Sequence, residues 1–122
     1  MILITGATGF LGHHLVPHLV QSGYTLRAVV RPSSNTQFLQ ELGVELAYAD
    51  DITDAGAIEQ ACVGCDQVIH AAGLFRFWGE ESEFWQTNVE GTTAVLQAIQ
   101  NQPIKRFIYI STIAVVGKPP TH

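Results

Sequence analysis

The chain has 122 residues, 47% of them hydrophobic and 14% charged, with a formal net charge of −5. That length fits one domain able to bury a core, and no apolar run approaches the roughly 20 residues of a membrane-crossing helix. Six Lys and Arg against eleven Asp and Glu argue against a nucleic-acid surface, which needs clustered cations to neutralise phosphates. The opening apolar run lacks the length and basic flank of a signal peptide, so the expectation is a cytoplasmic protein without a membrane partner.

Taken in order, the pattern predicts a strand over Met1–Thr5, a helix over Leu11–Gln21, and a strand over Thr25–Val30. A helix over Asn35–Leu42, a strand over Val44–Tyr48 and a helix over Ala55–Ala61 follow. The last elements are a strand over Gln67–Ala71, a helix over Glu83–Gln100 and a strand over Arg106–Ser111. The strands are continuous apolar, β-branched runs and the helices repeat apolar residues three or four apart. That alternation is α/β: a doubly wound parallel sheet covered on both faces, with order 3-2-1-4-5 once right-handed crossovers are imposed. Gly23 is expected to end the first helix and Asp54 to cap the third, while Pro17 should kink the first. A complete doubly wound domain of this kind normally adds a sixth strand. None fits after Ser111, so residues 1–122 are expected to be an incomplete domain, the N-terminal part of a longer protein.

Between the first strand and the first helix lies Thr5-Gly6-Ala7-Thr8-Gly9-Phe10-Leu11-Gly12. A glycine-rich turn opening a helix places backbone N–H groups and the positive helix end against a phosphate. Gly6 allows the tight turn, Gly9 lets the chain touch a pyrophosphate, and Gly12 lets the helix pack closely. Other candidate constellations read more simply. Cys62 and Cys65 form a Cys-x-x-Cys at the end of a helical stretch rather than its start, with no second pair for zinc, and are expected to be buried small hydrophobes. His14 and His18 sit one turn apart without an acidic third ligand, so no metal site is expected. Phe75-Arg76-Phe77-Trp78, with Phe84 and Trp85, either lines a substrate pocket or packs against further protein.

The glycine turn, Asp51-Ile52-Thr53-Asp54, His70-Ala71-Ala72-Gly73, Asn88-Val89-Glu90-Gly91-Thr92, and Ser111-Thr112 before Val115-Val116-Gly117 occur in an order and spacing that together resemble the extended short-chain dehydrogenase/reductase superfamily. The likeness is to its epimerase, dehydratase and dihydroflavonol-reductase-like branch, and it covers nearly the whole chain. It implies a Rossmann-like fold with cofactor contacts from Gly6, Thr8, Gly9, Phe10, Leu11 and Gly12. Asp51 and Ile52 would meet the adenine, Asp51 being assigned over Asp50 by the family pattern, and Ala71, Ala72 and Gly73 would approach the phosphate and nicotinamide ribose. His70 reads as a packed core histidine, and Asn88 as a group that shapes the cofactor site through the backbone. Val30 followed by Arg31 puts a guanidinium, and no acid, where the adenosine ribose lies, which favours NADP(H) while leaving NAD(H) open. Ser33 and Ser34 would add hydroxyls there.

Thr112 matches the hydroxyl of the family's catalytic set, whose Tyr-x-x-x-Lys helix is absent. Tyr24, Tyr48 and Tyr109 have no lysine four residues later. The resemblance therefore implies an enzyme parent, an NAD(P)-dependent reductase, epimerase or dehydratase moving hydride at a carbinol or carbonyl of a small-molecule substrate, with these 122 residues inactive alone. Val116 replaces a tyrosine common in the family, which leaves the substrate class open. A non-catalytic NADP(H)-binding sensor or scaffold is the alternative, and homodimerisation of the parent is left open.

Overall fold

In the computed structural model, residues 1–71 and 85–110 are described, the latter with side chains from residue 88 onward. The elements are β1 (Ile2–Thr5), α1 (Phe10–Gln21), β2 (Leu26–Val30), α2 (Gln37–Glu41), β3 (Glu45–Tyr48), α3 (Ala55–Ala61) and β4 (Gln67–His70). A π-helical turn (Trp85–Glu90), α4 (Gly91–Ile99) and β5 (Arg106–Tyr109) complete them. Five parallel strands pair in the order β3-β2-β1-β4-β5, as the alternation of elements requires, and the architecture is Rossmann-like.

Successive side chains of a strand point to opposite faces, and the core divides accordingly. Ile2 and Ile4 of β1, with Leu26, Ala28 and Val30 of β2, pack against Val16 of α1 and Leu39 of α2. Leu3 and Val68 turn the other way, onto Ile58, Ala61 and Cys62 of α3 and its end, and onto Val95 and Ala98 of α4. All four β1 residues are buried, and the central strand reads as an apolar run, Ile2 to Ile4, closed by the buried polar Thr5. Burying each of the large ones contributes about 1.5–3 kcal/mol.

Local chemistry sets the helix ends. Gly23, at φ +92°, ends α1: its N–H bonds the Val20 carbonyl, and the Tyr24 N–H reaches back to Leu19. Asp54 caps α3 by accepting the Ala57 N–H at 3.1 Å. Arg27 emerges on the α3 side of the sheet, where Nη1 donates to the Ala61 and Val63 carbonyls at the end of α3 and Nε donates to Glu45 at 2.9 Å. It thereby satisfies carbonyls that the helix end would leave bare.

Two elements differ from the sequence expectation. α2 is shorter because Asn35 Oδ1 accepts the Gln37 N–H, an Asx turn that delays the helix. The single helix expected over Glu83–Gln100 is divided: the turn at Trp85–Glu90 is wound as a π-helix before α4 begins. At the junction Thr92 and Thr93 hydroxyls donate to the Asn88 and Val89 carbonyls, and a Cβ on Gly91 would lie 2.6 Å from Ile52 Cγ2. The helix therefore seats against the loop after β3 only with glycine there. Helix α1 runs through Pro17 without interruption. No helix among the described residues is long and apolar enough to cross a membrane.

Candidate dinucleotide site

The carboxyl ends of the strands share one edge of the sheet, because Thr5 pairs with Val29 and His70, and His70 pairs with Tyr109. The glycine turn, the loop after Arg31, the Asp50–Asp54 segment and Ala71 therefore converge there. In an open parallel sheet this edge, at the reversal of strand order around β1, is where ligands bind.

The turn is built by its glycines in three different ways. Gly6 sits at φ +76°, a conformation a side chain disfavours. Gly9 has its N–H bonded to the Gly6 carbonyl, and a Cβ there would meet Gly6 O at 3.4 Å, an ordinary contact. Gly12 has no such room. A Cβ would lie 2.2–2.6 Å from the Ala7 backbone, so this glycine closes α1 onto the turn itself. Gly9 is the N-cap of α1, no side chain among the described residues bonds the helix start, and no acidic residue lies in the first turn. The backbone donors of that turn are thus left for an anion, which fits a pyrophosphate. Phe10 and Leu11 are exposed beside it, Phe10 by 84%.

Beside the turn an open cleft of about 480 Å³ is lined by Thr8, His13, Ser34, Asn35, Gln37, Phe38 and Glu41. Exposed Arg31 heads the loop that supplies Ser34, whose N–H bonds the Arg31 carbonyl. Ser33 is exposed on the same loop. Asp51 is exposed, and its Oδ1 accepts both the N–H and the hydroxyl of Thr53, an Asx turn that orients the carboxylate. Ile52 is half-buried under Gly91. Asp50 is exposed next to it.

Beneath the edge, His70 is fully buried. Its Nε2 lies 3.0 Å from Thr92 Oγ1 and its Nδ1 2.7 Å from Thr5 Oγ1. Thr92 spends its proton on the Asn88 carbonyl at 2.8 Å, so His70 Nε2–H donates to Thr92, and Nδ1 accepts from Thr5. Thr5 Oγ1 in turn accepts the Ala71 N–H at 3.1 Å. Burial holds this imidazole down to a pKa of about 4, keeping it neutral at pH 7. The chain of bonds ties β1, β4, the π-helical turn and α4 together directly under the site, and His70 supplies packing and hydrogen bonding.

Of the expected site residues, Gly6, Thr8, Gly9, Phe10, Leu11, Gly12, Arg31, Asp51, Ile52 and Ala71 gather at this edge. Half-buried Asn88 lies in the π-helical turn, bound to Thr92 through its carbonyl. Ala72, Gly73 and Thr112 lie outside the described residues, as does the aromatic stretch Phe75–Trp78. Three contributions were not anticipated: His13 in the cleft, the bond of the Thr5 hydroxyl with His70, and the contact of Gly91 with Ile52. Thr5 and Gly91 stand inside the sequence motifs, but their partners His70 and Ile52 come from distant segments. His13 had a signal in its place on the first helical turn after Gly12.

Away from the edge, Cys62 and Cys65 are free and buried. Burial, with Cys65 adding to it, pushes the Cys62 thiol up to about 11, and burial also raises Cys65 despite Arg27 nearby. Both behave as small core residues. No group of three or more metal-ligating side chains exists among the described residues.

The family model for the NAD-dependent epimerase/dehydratase family matches residues 2–122. A ketoreductase of Stigmatella aurantiaca, acting on 4-hydroxy-2-methyl-3-oxo-4-farnesyl-3,4-dihydroquinoline-1-oxide by its name, is 35% identical over 95% of this chain and 35% of its own length. Dihydroflavonol 4-reductases match over a similar span. Among solved structures, gox2253 superposes with a TM-score of 0.86 at 34% identity, over 96% of this chain and 36% of that one. The Bordetella bronchiseptica enzyme WbmG, solved with NAD and UDP, superposes with a TM-score of 0.80 at 28% identity, over 98% and 40%. The chain spans about a third of the length of the curated relatives it matches. With a glycine turn over an uncapped helix at the switch point of a 3-2-1-4-5 sheet, and a family model matching almost every residue, this chain belongs to the NAD-dependent epimerase/dehydratase family of the short-chain dehydrogenase/reductase superfamily.

Proposed function

We propose that the chain is the cofactor-binding part of an NADP(H)-dependent reductase, or of an epimerase or dehydratase of the same family. Hydride would move between nicotinamide C4 and a substrate carbinol or carbonyl. One observation carries the reading: the Gly6–Gly12 turn leaves the first-turn donors of α1 without a side-chain cap, next to the cleft whose loop Arg31 heads. The turn would hold the pyrophosphate, and Arg31 with Ser33 and Ser34 a ribose 2′-phosphate. Asp51 and Ile52 would bracket the adenine, while Ala71, Ala72 and Gly73 would let the backbone approach the phosphate and nicotinamide ribose. Asn88 would shape that floor, and Thr112 would orient the substrate oxygen.

The hydride chemistry belongs to the cofactor, and the residues of this chain place it. Reductase relatives favour reduction of a small-molecule carbonyl; a cytoplasmic setting without a nucleic-acid or membrane partner belongs to the same proposal. The test is to incubate the intact protein with NADPH and a panel of ketones and follow loss of nicotinamide absorbance. Turnover that disappears in Thr112→Ala with NADPH affinity retained supports the reading. Tight NADPH binding without turnover on any carbonyl, carbinol or nucleotide sugar would assign a sensor or scaffold instead.

A further inference from the structure

His13 stands apart from the other exposed histidines because its ring is fixed. One face stacks on Phe38, with ring centres 4.1 Å apart and planes 18° apart, and Nδ1 lies 2.9 Å from the Gly9 carbonyl. A carbonyl oxygen only accepts, so the proton must sit on Nδ1. The neutral ring then carries a lone pair on Nε2, for which no partner exists among the described residues. A lone pair repels an anion. Only the doubly protonated imidazolium can turn Nε2 into a donor, and this ring lines the cleft with Thr8, Ser34 and Asn35.

We propose that His13 is a specificity-determining residue that recognises a phosphate monoester in its protonated form, so that the cleft takes up a proton when a 2′-phosphorylated cofactor binds. The inference rests on the assignment of this cleft to the ribose 2′-phosphate and goes beyond it by coupling recognition to pH. On α2, Glu41 lines the same cleft and accepts from Gln37 Nε2 at 3.1 Å. Arg31 heads the β2–α2 loop. On α1, His14 turns to Phe10, ring centres 4.9 Å apart. NADPH preference should therefore rise as pH falls.

The test is isothermal titration of the intact protein with NADPH, NADH and inorganic phosphate, in buffers of different ionisation enthalpy. The phosphate's own second ionisation falls near pH 6, so the His13→Gln and His13→Phe variants isolate the imidazole; the first keeps a donor for Gly9 and the second keeps the stack on Phe38. The expected result is net proton uptake with NADPH that exceeds that of both variants, and NADPH affinity at pH 6 about fivefold weaker in the variants with NADH affinity unchanged. The difference between the three proteins should shrink as pH rises. An unchanged proton count in both variants, with NADPH still preferred over NADH, overturns the His13 role and leaves the 2′-phosphate assignment standing. Equal affinity for NADPH and NADH in the unmodified protein overturns that assignment itself. Proton uptake with inorganic phosphate alone, and none with NADPH, would mark a free-anion site instead.

Discussion

Substituting alanine at Gly12 and, separately, at Gly9 distinguishes the glycine that builds the turn from the one that faces the ligand. At Gly12 the new Cβ would sit 2.2 Å from Ala7 O and 2.4 Å from Ala7 C, about 1.2 Å inside ordinary contact. The obstructing atoms are backbone, and Ala7 is itself 1% exposed in the core, so no flexible side chain can yield. Relieving the clash means lifting the first turn of α1 from the turn beneath it. Overpacking of this kind costs about 3 kcal/mol, and alanine returns about 1 kcal/mol through its higher helix propensity, leaving a net loss of about 2 kcal/mol. In thermal unfolding that is a fall in Tm of about 10 °C for a domain of this size. At Gly9 the Cβ meets only Gly6 O, at 3.4 Å, so stability should change by less than about 0.5 kcal/mol. The methyl group would instead stand where a pyrophosphate approaches, and NADPH affinity should fall at least about tenfold. Urea unfolding and calorimetric titration of both variants make the comparison. A Gly12→Ala protein as stable as the original, or a Gly9→Ala protein with full affinity, would refute this division of roles.

Further expectations rest on the buried polar groups and on the cofactor cleft. His70 has its folded pKa depressed to about 4, so the unfolded chain binds a proton first and stability drops as pH falls from about 6.5 toward 4. The loss attributable to this group approaches about 3 kcal/mol, and urea midpoints between pH 7 and 5 should fall more steeply for the unmodified protein than for His70→Gln. Thr92→Val removes the acceptor of His70 Nε2–H and should cost about 1–3 kcal/mol of stability by urea unfolding. Cys62 and Cys65, buried with raised thiol pKa values, should resist iodoacetamide in the native protein and react on unfolding, as mass spectrometry will show. Labelling at native rates equal to those of the unfolded chain would remove them from the core.

What the sequence made legible was whatever depends on near neighbours. Strand order follows from the alternation of apolar runs and helices with right-handed crossovers. Gly23 and Asp54 announce helix ends because capping is decided within a few residues. The glycine turn is likewise local, although the reason for Gly12 is not: its close contact is with Ala7 in the turn rather than with the strand. Arg27, by contrast, reads as an ordinary charged strand residue, and only the packing of α3 over β2 reveals that it closes the end of that helix. The π-helical turn before α4 was hidden for the same reason, since the apolar spacing of Glu83–Gln100 is helical throughout. Its interruption lies beside a tertiary contact, Gly91 on Ile52. The hydrogen-bond chain through Thr5, His70 and Thr92 depends on strand register, and the stacking of His13 on Phe38 on the approach of two helices, neither of which a linear pattern encodes.

The measurement that bears most directly on the central claim is the affinity of the intact protein for NADPH and for NADH, by calorimetry, before and after Arg31→Ala. The account predicts tighter binding of NADPH, a loss of about 1–3 kcal/mol for NADPH in the variant, and almost no change for NADH. Equal losses for both cofactors would remove Arg31 from the 2′-phosphate, and no binding of either would contradict the dinucleotide site itself.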